Sequence, residues 1–422
     1  MTKTHHKLFA GLALGVAAST SLADAAASAD EVRAIVADML ADAETRSSLL
    51  QGGGAAGLDD GFFIESSDGG FKLNAHALVQ FRYVANFTDD EVGGDDFDSD
   101  FQTRYTRLRF DGTVYNDWFY AVQGNFDSGG MGGTFNLEDA YLGYGFEEGG
   151  AIIFGQWKVP MTREELVDEG KQLAIDSSEV NQYFTAGRSQ GVAYKWGGDA
   201  FRGIVGISDG ARQANTDLYA TAPLSSDFAV SGRFEFLLAG SWDQFDDFTS
   251  PMGSEDGLMI GVAGHYQTGP GDAGVAEADI YEYSVDVSYE SDGWNIFASL
   301  TGRDIDPDTA GIASGQDIGV VVHAGVYLNE DTEIYARYGQ IFLDSDAVPP
   351  GMGDESAEVT FGVNRYFHGH AAKFSLDVVT YLDESTGSFI GGPIGADTQI
   401  GRRGDATDDG EVAIRAQMQL MF

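Results

Sequence analysis

Cysteine is absent from this chain, and proline is rare, with 8 in 422 residues. Without a thiol there is no disulfide framework, no thiolate nucleophile and no Cys-ligated metal. Basic residues are scarce as well. Lys+Arg 24 stand against Asp+Glu 67, a formal net charge of -43. Such a chain repels a phosphate backbone, which excludes nucleic acid as a partner. No stretch of ~20 consecutive apolar residues occurs, so no helical membrane span is expected. What is present runs against disorder: Gly 57 and an aromatic content of 12% fit strands and tight turns better than a solvated acidic tail.

The first residues read as an export address. Lys3 and Lys7 form a basic start, "LFAGLALGVAA" from Leu8 is an apolar stretch, and Ala23, Ala25 and Ala29 are candidate cleavage positions. The expectation is a signal peptide over residues 1–29, too short to span a bilayer as a helix. In "DEVRAIVADMLADAETRSSLL", Val32, Val36, Met39, Ala43 and Leu50 recur at helical spacing, with Arg46 breaking the seam. A short amphipathic helix is expected, either a small coiled coil joining subunits or a helix lying on the rest of the protein. "QGGGAAGLDDG", Gln51 to Gly61, then reads as a flexible linker closing the segment 30–61.

From residue 62 the chain reads as one β domain. Beyond Lys72 the apolar period is two, over about sixteen candidate strands. They are 72–87, 104–115, 118–127, 135–146, 151–158, 188–196, 201–208, 227–239, 257–267, 278–290, 293–303, 317–329, 331–343, 356–367, 371–383 and 411–422. Some connections are minimal, such as "ND", "SDG" and "HGH". Others are long and acidic, including "TDDEVGGDDFDSD", "DQFDDFTSPMGSED" and "DIDPDTAGIASG". Short turns on one rim and long loops on the other are expected of an all-β, up-and-down transmembrane β-barrel.

Parity assigns the faces. Val320, Val322, Ala324, Val326 and Leu328 share one side of their strand, as do Phe374, Leu376, Val378 and Leu382, and Val230, Phe234, Phe236 and Leu238. A soluble sandwich would alternate in the same way, but about sixteen strands close into a barrel with an aqueous lumen. The apolar set then faces outer-membrane lipid. Tyr83, Phe87, Tyr115, Trp118, Tyr120, Trp157, Trp196 and Trp294 are candidates for interfacial girdles.

The same parity turns Arg82, Arg107, Arg109, Lys158, Lys195, Arg202, Arg233, Arg303, Arg337, Lys373 and Arg415 inward. Two readings stand: these cations bias the pore towards anions, or they pair with neighbouring acids such as Asp111 and Glu235. The segment from Lys158 to Arg188, "KVPMTREELVDEGKQLAIDSSEVNQYFTAGR", has no strand pattern and a helical one around "REELVDEG". It is read either as an inward-folded constriction loop or as a surface loop. Folded inward, Lys158, Arg163, Lys171 and Arg188 would compete with Glu164, Glu165, Asp168 and Glu169 in setting selectivity.

The segments "GQWKVPMTREEL…NQYFTAGRSQGVAY" and "FKLNAHALVQFRYVANF", with the ending "RAQMQLMF", resemble the phosphate-selective porin O and P family. The resemblance runs from about Phe62 to Phe422. It implies a sixteen-stranded outer-membrane porin, usually a homotrimer, whose third loop folds inward and corresponds to Lys158–Arg188. Phosphate-specific members carry an arginine ladder and several central lysines; here the lumen arginines are present and lysines are few.

The other clusters have simpler explanations. "HGH" at His368–His370 lacks the further ligands of a metal site, and "GDATDDGE" lacks the spacing of a calcium loop. No catalytic constellation is visible, and neither a cofactor nor a metal is expected. The expected function is a water-filled outer-membrane channel for small hydrophilic solutes and ions, without enzymatic activity. The alternative is an exported acidic β-rich adhesin or binding protein with no channel. Phe422, last in the alternating "EVAIRAQMQLMF", reads as the signal by which the barrel-assembly machinery receives the final strand.

Overall fold

The computed structural model describes residues 54–58, 61–92, 95–126, 135–147, 149–215, 226–269, 278–307, 314–346, 353–383 and 411–422. The expected signal peptide and the amphipathic helix after it lie outside the described residues, as does most of the acidic stretch 404–411.

Among the described residues there are eighteen strands. The first two, β1 (Ala55–Leu58) and β2 (Phe62–Glu65), form a small hairpin, so part of the stretch read as a linker is strand. Then follow β3 (Phe71–Val92), β4 (Asp95–Val114), β5 (Trp118–Asn125), β6 (Asn136–Phe146), β7 (Gly150–Lys158) and β8 (Arg188–Gly197). Next come β9 (Phe201–Ser208), β10 (Phe228–Ala239), β11 (Gly257–Thr268), β12 (Ala278–Ser291) and β13 (Trp294–Pro307). The last are β14 (Gly315–Asn329), β15 (Thr332–Phe342), β16 (Glu355–Tyr366), β17 (Ala372–Tyr381) and β18 (Val412–Met421). Strands β3 to β18 pair in sequence order and antiparallel, and β18 returns to β3 with Val412 opposite Phe87 and Met421 opposite Leu78. The result is a closed sixteen-stranded barrel with no free edge.

Closure separates an outer face from a lumen face. Outside, the strand ladders pair the backbone and the side chains are largely apolar: Val322, Val326, Leu328, Phe374, Leu376 and Val378 are all exposed. The inward face carries Arg, Gln, Asp and Glu, since a single Arg on the lipid face at mid-bilayer costs ~2–4 kcal/mol. In β18, Ile414, Met418 and Leu420 are exposed, whereas Arg415, Gln417 and Gln419 are buried inside. Phe422 continues the pairing, exchanging backbone hydrogen bonds with Ala77 (2.8 and 3.0 Å) and setting its ring 5.6 Å from that of Phe62. Tyr115, Trp118 and Trp294 are exposed as girdle residues should be. Trp157 is not; it is buried with Ile153 and Ala193 against Phe119, Tyr141 and Ile204.

The end of β18 and the short turns share one rim, the periplasmic side of such barrels. One connection breaks the expected pattern. Residues 240–256, which contain "DQFDDFTSPMGSED", join β10 to β11 on the short-turn rim and not among the long loops. The count of strands requires this, because β9 and β10 are already joined across the opposite rim. Left-handed Gly240 (φ 83) and Gly253 (φ 90) turn this segment at its two ends, and Phe245 and Phe248 within it are buried.

Candidate functional site

Residues 159–187, between β7 and β8, fold into the barrel. They contain a one-turn helix Arg163–Leu166, a 3₁₀ turn Glu169–Lys171 and a helix Glu179–Phe184. The surface-loop reading is thereby overturned, and the cause is apolar burial. Val167, Leu173, Val180, Tyr183 and Phe184 form one buried cluster with Phe297, Val321, Tyr335 and Ile341 of the inner wall. Gly319 makes the close approach possible: a Cβ there would lie 2.5 Å from the Phe184 ring and 2.6 Å from Val180. Ser178 caps the second helix, its Oγ accepting from Asn181 N at 3.0 Å. At the loop's lowest point, Lys373 Nζ donates to Gln172 O at 3.0 Å.

The centre of the loop is held by charge. Asp176 is buried and accepts from Arg82 Nη1 (2.6 Å), Arg104 Nε (3.3 Å) and Arg415 Nη1 (3.0 Å). Burial alone would raise its carboxyl, but Arg82, Arg104 and Arg415 outweigh that and hold it well below the usual carboxylate range. Glu164 goes the other way: burial pushes it up, against Arg337 at 3.9 Å and two hydrogen bonds from Ser178.

Most of the expected selectivity cations have carboxylate partners. Arg82 also donates to Gln417 Oε1 at 3.0 Å, and Arg415 forks onto Asp377 at 2.8 and 2.7 Å. Arg107 binds Glu138 (2.7 Å) and Glu169, with Asp168 at 3.6 Å. Arg109 binds Asp111 (2.9 Å) and Asp139 (3.2 Å); Arg188 binds Asp139 at 2.7 Å. Lys158 reaches Glu169 Oε1 at 3.0 Å and Glu165 O at 2.6 Å. Arg233 forks onto Asp286 and shares Glu235 with Arg202, Arg303 pairs with Glu282, and Arg337 meets Glu358 at 2.9 Å. Of the loop acids, Asp168 caps Gly170 N at 2.8 Å and the Glu165 carboxylate accepts from Asn181 at 3.5 Å. Lys171 lines the periplasmic mouth near Arg109 and Asp168. Of the two readings offered for the lumen cations, pairing with acids is what the geometry contains.

Three participants escape sequence reasoning. Arg104 lies three residues from Arg107, yet both point inward, because the β3–β4 register shifts between Gln80 and Phe81; a bulge of this kind resets parity. Asp176, a lone acid in an irregular loop, has no periodic signal. The third is the segment 240–256, which rises from the periplasmic rim to meet the loop. Phe248 packs 5.0 Å from Phe297 and 4.7 Å from His323, and its N–H donates to Lys171 O at 3.4 Å. The Arg163 guanidinium lies 4.8 Å from the Phe248 ring centre and donates to Asp247 O at 2.9 Å. Asp247 and Thr249 both reach His370 Nε2 at 3.3 Å, so the "HGH" turn anchors this segment.

Two elements thus occupy the β11–β18 half of the lumen, and space remains against the opposite wall. A cavity of 420 Å³ is lined by Arg104, Arg107, Glu138 and Arg188 of the wall and by Glu169 and Asp176 of the loop. A second, of 300 Å³, lies between the loop, β8–β10 and Phe245. The periplasmic mouth holds a third, of 710 Å³.

A closed barrel narrowed by an inward third loop is the arrangement the sequence resemblance implied. Residues 78–247 match the family described as Phosphate-selective porin O and P. The match runs from within β3 to the middle of the 240–256 segment, and so includes the inward loop. Among solved structures, OmpF of Salmonella typhi in complex with daunomycin has a TM-score of 0.56 at 15% identity, covering 87% of this chain and 100% of that one. The anion-selective porin from Comamonas acidovorans has a TM-score of 0.55 at 12% identity, covering 83% and 99%. The outer-membrane channel DcaP of Acinetobacter baumannii has a TM-score of 0.55 at 15% identity, covering 84% and 99%. No curated protein matches the chain in sequence. At these identities the solved structures establish the fold, and the family model matches the part of it that holds the inward loop.

Proposed function

We propose that this porin passes small hydrophilic solutes and ions by passive diffusion, along the polar space between the loop 159–187 and the wall of β3–β9. The observation that carries the reading is the 420 Å³ cavity, in which wall arginines Arg104 and Arg107 face loop carboxylates Glu169 and Asp176. Ions crossing it meet opposed charges on two sides and are screened and sieved, with no chemical step. A modest anion preference is proposed in place of a phosphate-specific site. A phosphate site needs guanidinium or ammonium groups not already committed to carboxylates, and here Arg82, Arg107, Arg188, Arg337 and Arg415 are all committed. The family match is what suggests the anion bias. The same selectivity residues, basic and acidic, are proposed to set it together.

The proposed setting follows from the sequence and from relatives. Residues 1–29 direct export, the terminal Phe422 engages the barrel-assembly machinery, the outer face contacts outer-membrane lipid, and the unit is a homotrimer, as in the trimer form of OmpT from Vibrio cholerae (TM-score 0.51). The adhesin alternative loses its support, since closure leaves a polar lumen that an adhesin has no need to build. Reversal potentials in a KCl gradient across planar bilayers test the proposal. The expected sign favours chloride, and phosphate at constant chloride should leave the current unblocked. A cation-favouring potential refutes the preference, and absence of current from assembled barrels refutes the channel.

A further inference from the structure

The 300 Å³ cavity beneath the constriction has a chemistry of its own. Its basic residues are Lys158, Arg163, Lys195, Arg202 and Arg233, and its acids are Glu235 and Asp246. Lys158 is taken by Glu169, while Arg202 and Arg233 share Glu235. Two cations remain without a carboxylate among the described residues. The Lys195 ammonium lies 4.8 Å from the centre of the Phe119 ring. Arg163 is buried, its guanidinium stacked against Phe245 and Phe248, and its Nε has no hydrogen-bond partner. Beside these cations the cavity is walled by Leu166, Val167, Ile204 and Phe245. The upper cavity is different, with its arginines set against Glu138, Glu164, Glu165, Glu169 and Asp176.

A place that offers unspent positive charge next to apolar surface selects a ligand carrying both complements. We infer that this cavity is a binding subsite for amphipathic organic anions, a carboxylate borne on a compact aromatic or aliphatic body. The carboxylate sits between Lys195 and Arg163, and the body lies against Leu166, Ile204 and Phe245. A strongly hydrated inorganic anion gains little there, because it must give up water to face the apolar wall. Phe245 reaches the cavity only because the 240–256 segment folds inward, so this segment takes part in solute selection. The subsite rests on the reading of the lumen as a solute passage, and deepens it by naming a solute class.

Single-channel recording in KCl with benzoate, acetate or phosphate added on the periplasmic side tests the subsite. Benzoate is expected to interrupt the current at concentrations roughly tenfold below acetate, from the apolar area its ring buries. Lys195→Gln should raise the benzoate concentration needed by roughly tenfold, and Lys195→Arg should restore it. Equal potency of benzoate and acetate on the unmodified channel overturns the subsite, whether or not the variants assemble. Equilibrium dialysis of the detergent-folded barrel against radiolabelled benzoate provides the independent arm. Saturable binding without current would defeat the channel reading and keep the subsite; current without saturable binding would do the reverse.

Discussion

Replacing Asp176 by Asn probes the junction on which the lumen depends. The side chain keeps its shape and loses its charge, which three guanidiniums from β3, β4 and β18 now share. Removing one member of a buried ionic cluster typically costs ~3–5 kcal/mol. Arg415 keeps Asp377 and Arg82 keeps Gln417, so the low end of that range applies. The barrel wall, paired strand to strand, does not depend on Asp176; the seating of the loop does. For the permeating ion, the variant adds one positive charge at about 7 Å, or ~0.6 kcal/mol at the dielectric of water. Anions and cations respond oppositely, so the permeability ratio moves by roughly sevenfold towards anions, or nearer threefold once 0.1 M salt screens the charge. The assay is the reversal potential of Asp176→Asn against the parent channel in the same KCl gradient. A ratio that stays put, or moves towards cations, would refute the placement of Asp176 beside the ion path.

Two further outcomes are expected. Gly319→Val should push Phe184 and Val180 off the wall, since even a Cβ there comes within 2.6 Å of both; overpacking of this kind costs ~1–3 kcal/mol. The folded form in heat-modifiability gels should melt earlier and single-channel current should become larger and noisier, and unchanged gels and current would show that the loop is not seated there. The pH dependence has a definite sign. Asp176 has a depressed carboxyl, so its contribution is complete above the ordinary carboxylate range near pH ~4 and is lost only as pH falls through its lower folded value. The part of the conductance that Asp176 governs should therefore hold from pH 8 down to about pH 5 and change only in stronger acid; a step between pH 5 and 7 that Asp176→Asn abolishes would contradict the three-arginine cage.

Much of the barrel was legible beforehand because the signal is local. Val320 to Leu328 alternate within one strand, and nothing distant can change which side of a pleat they share. All sixteen barrel strands are legible in the alternation, most to within a residue or two of their observed ends. The lumen was harder. Arg104 was missed because a bulge opposite Gln80 and Phe81 resets parity, and bulges leave no composition signal. Trp157 looked like a girdle aromatic and is instead packed with Ile153 and Ala193. The acidic "DQFDDF" stretch resembled a long outer loop by composition, whereas Phe245 and Phe248 are its buried anchors.

The sequence by itself determined the period of two, the polar and apolar faces, and the presence of a long non-strand segment rich in both charge and apolar residues. These follow from chemistry within a few residues of chain. Only the tertiary structure decided that Asp176 sits among Arg82, Arg104 and Arg415, residues from the two ends of the barrel's strand order. It alone brought the 240–256 segment up to the constriction loop and left Lys195 and Arg163 facing one cavity. The physical reason is closure. When the last strand returns to the first, inward side chains far apart in sequence come within ion-pairing distance, and their charges are balanced across the lumen and not along the chain.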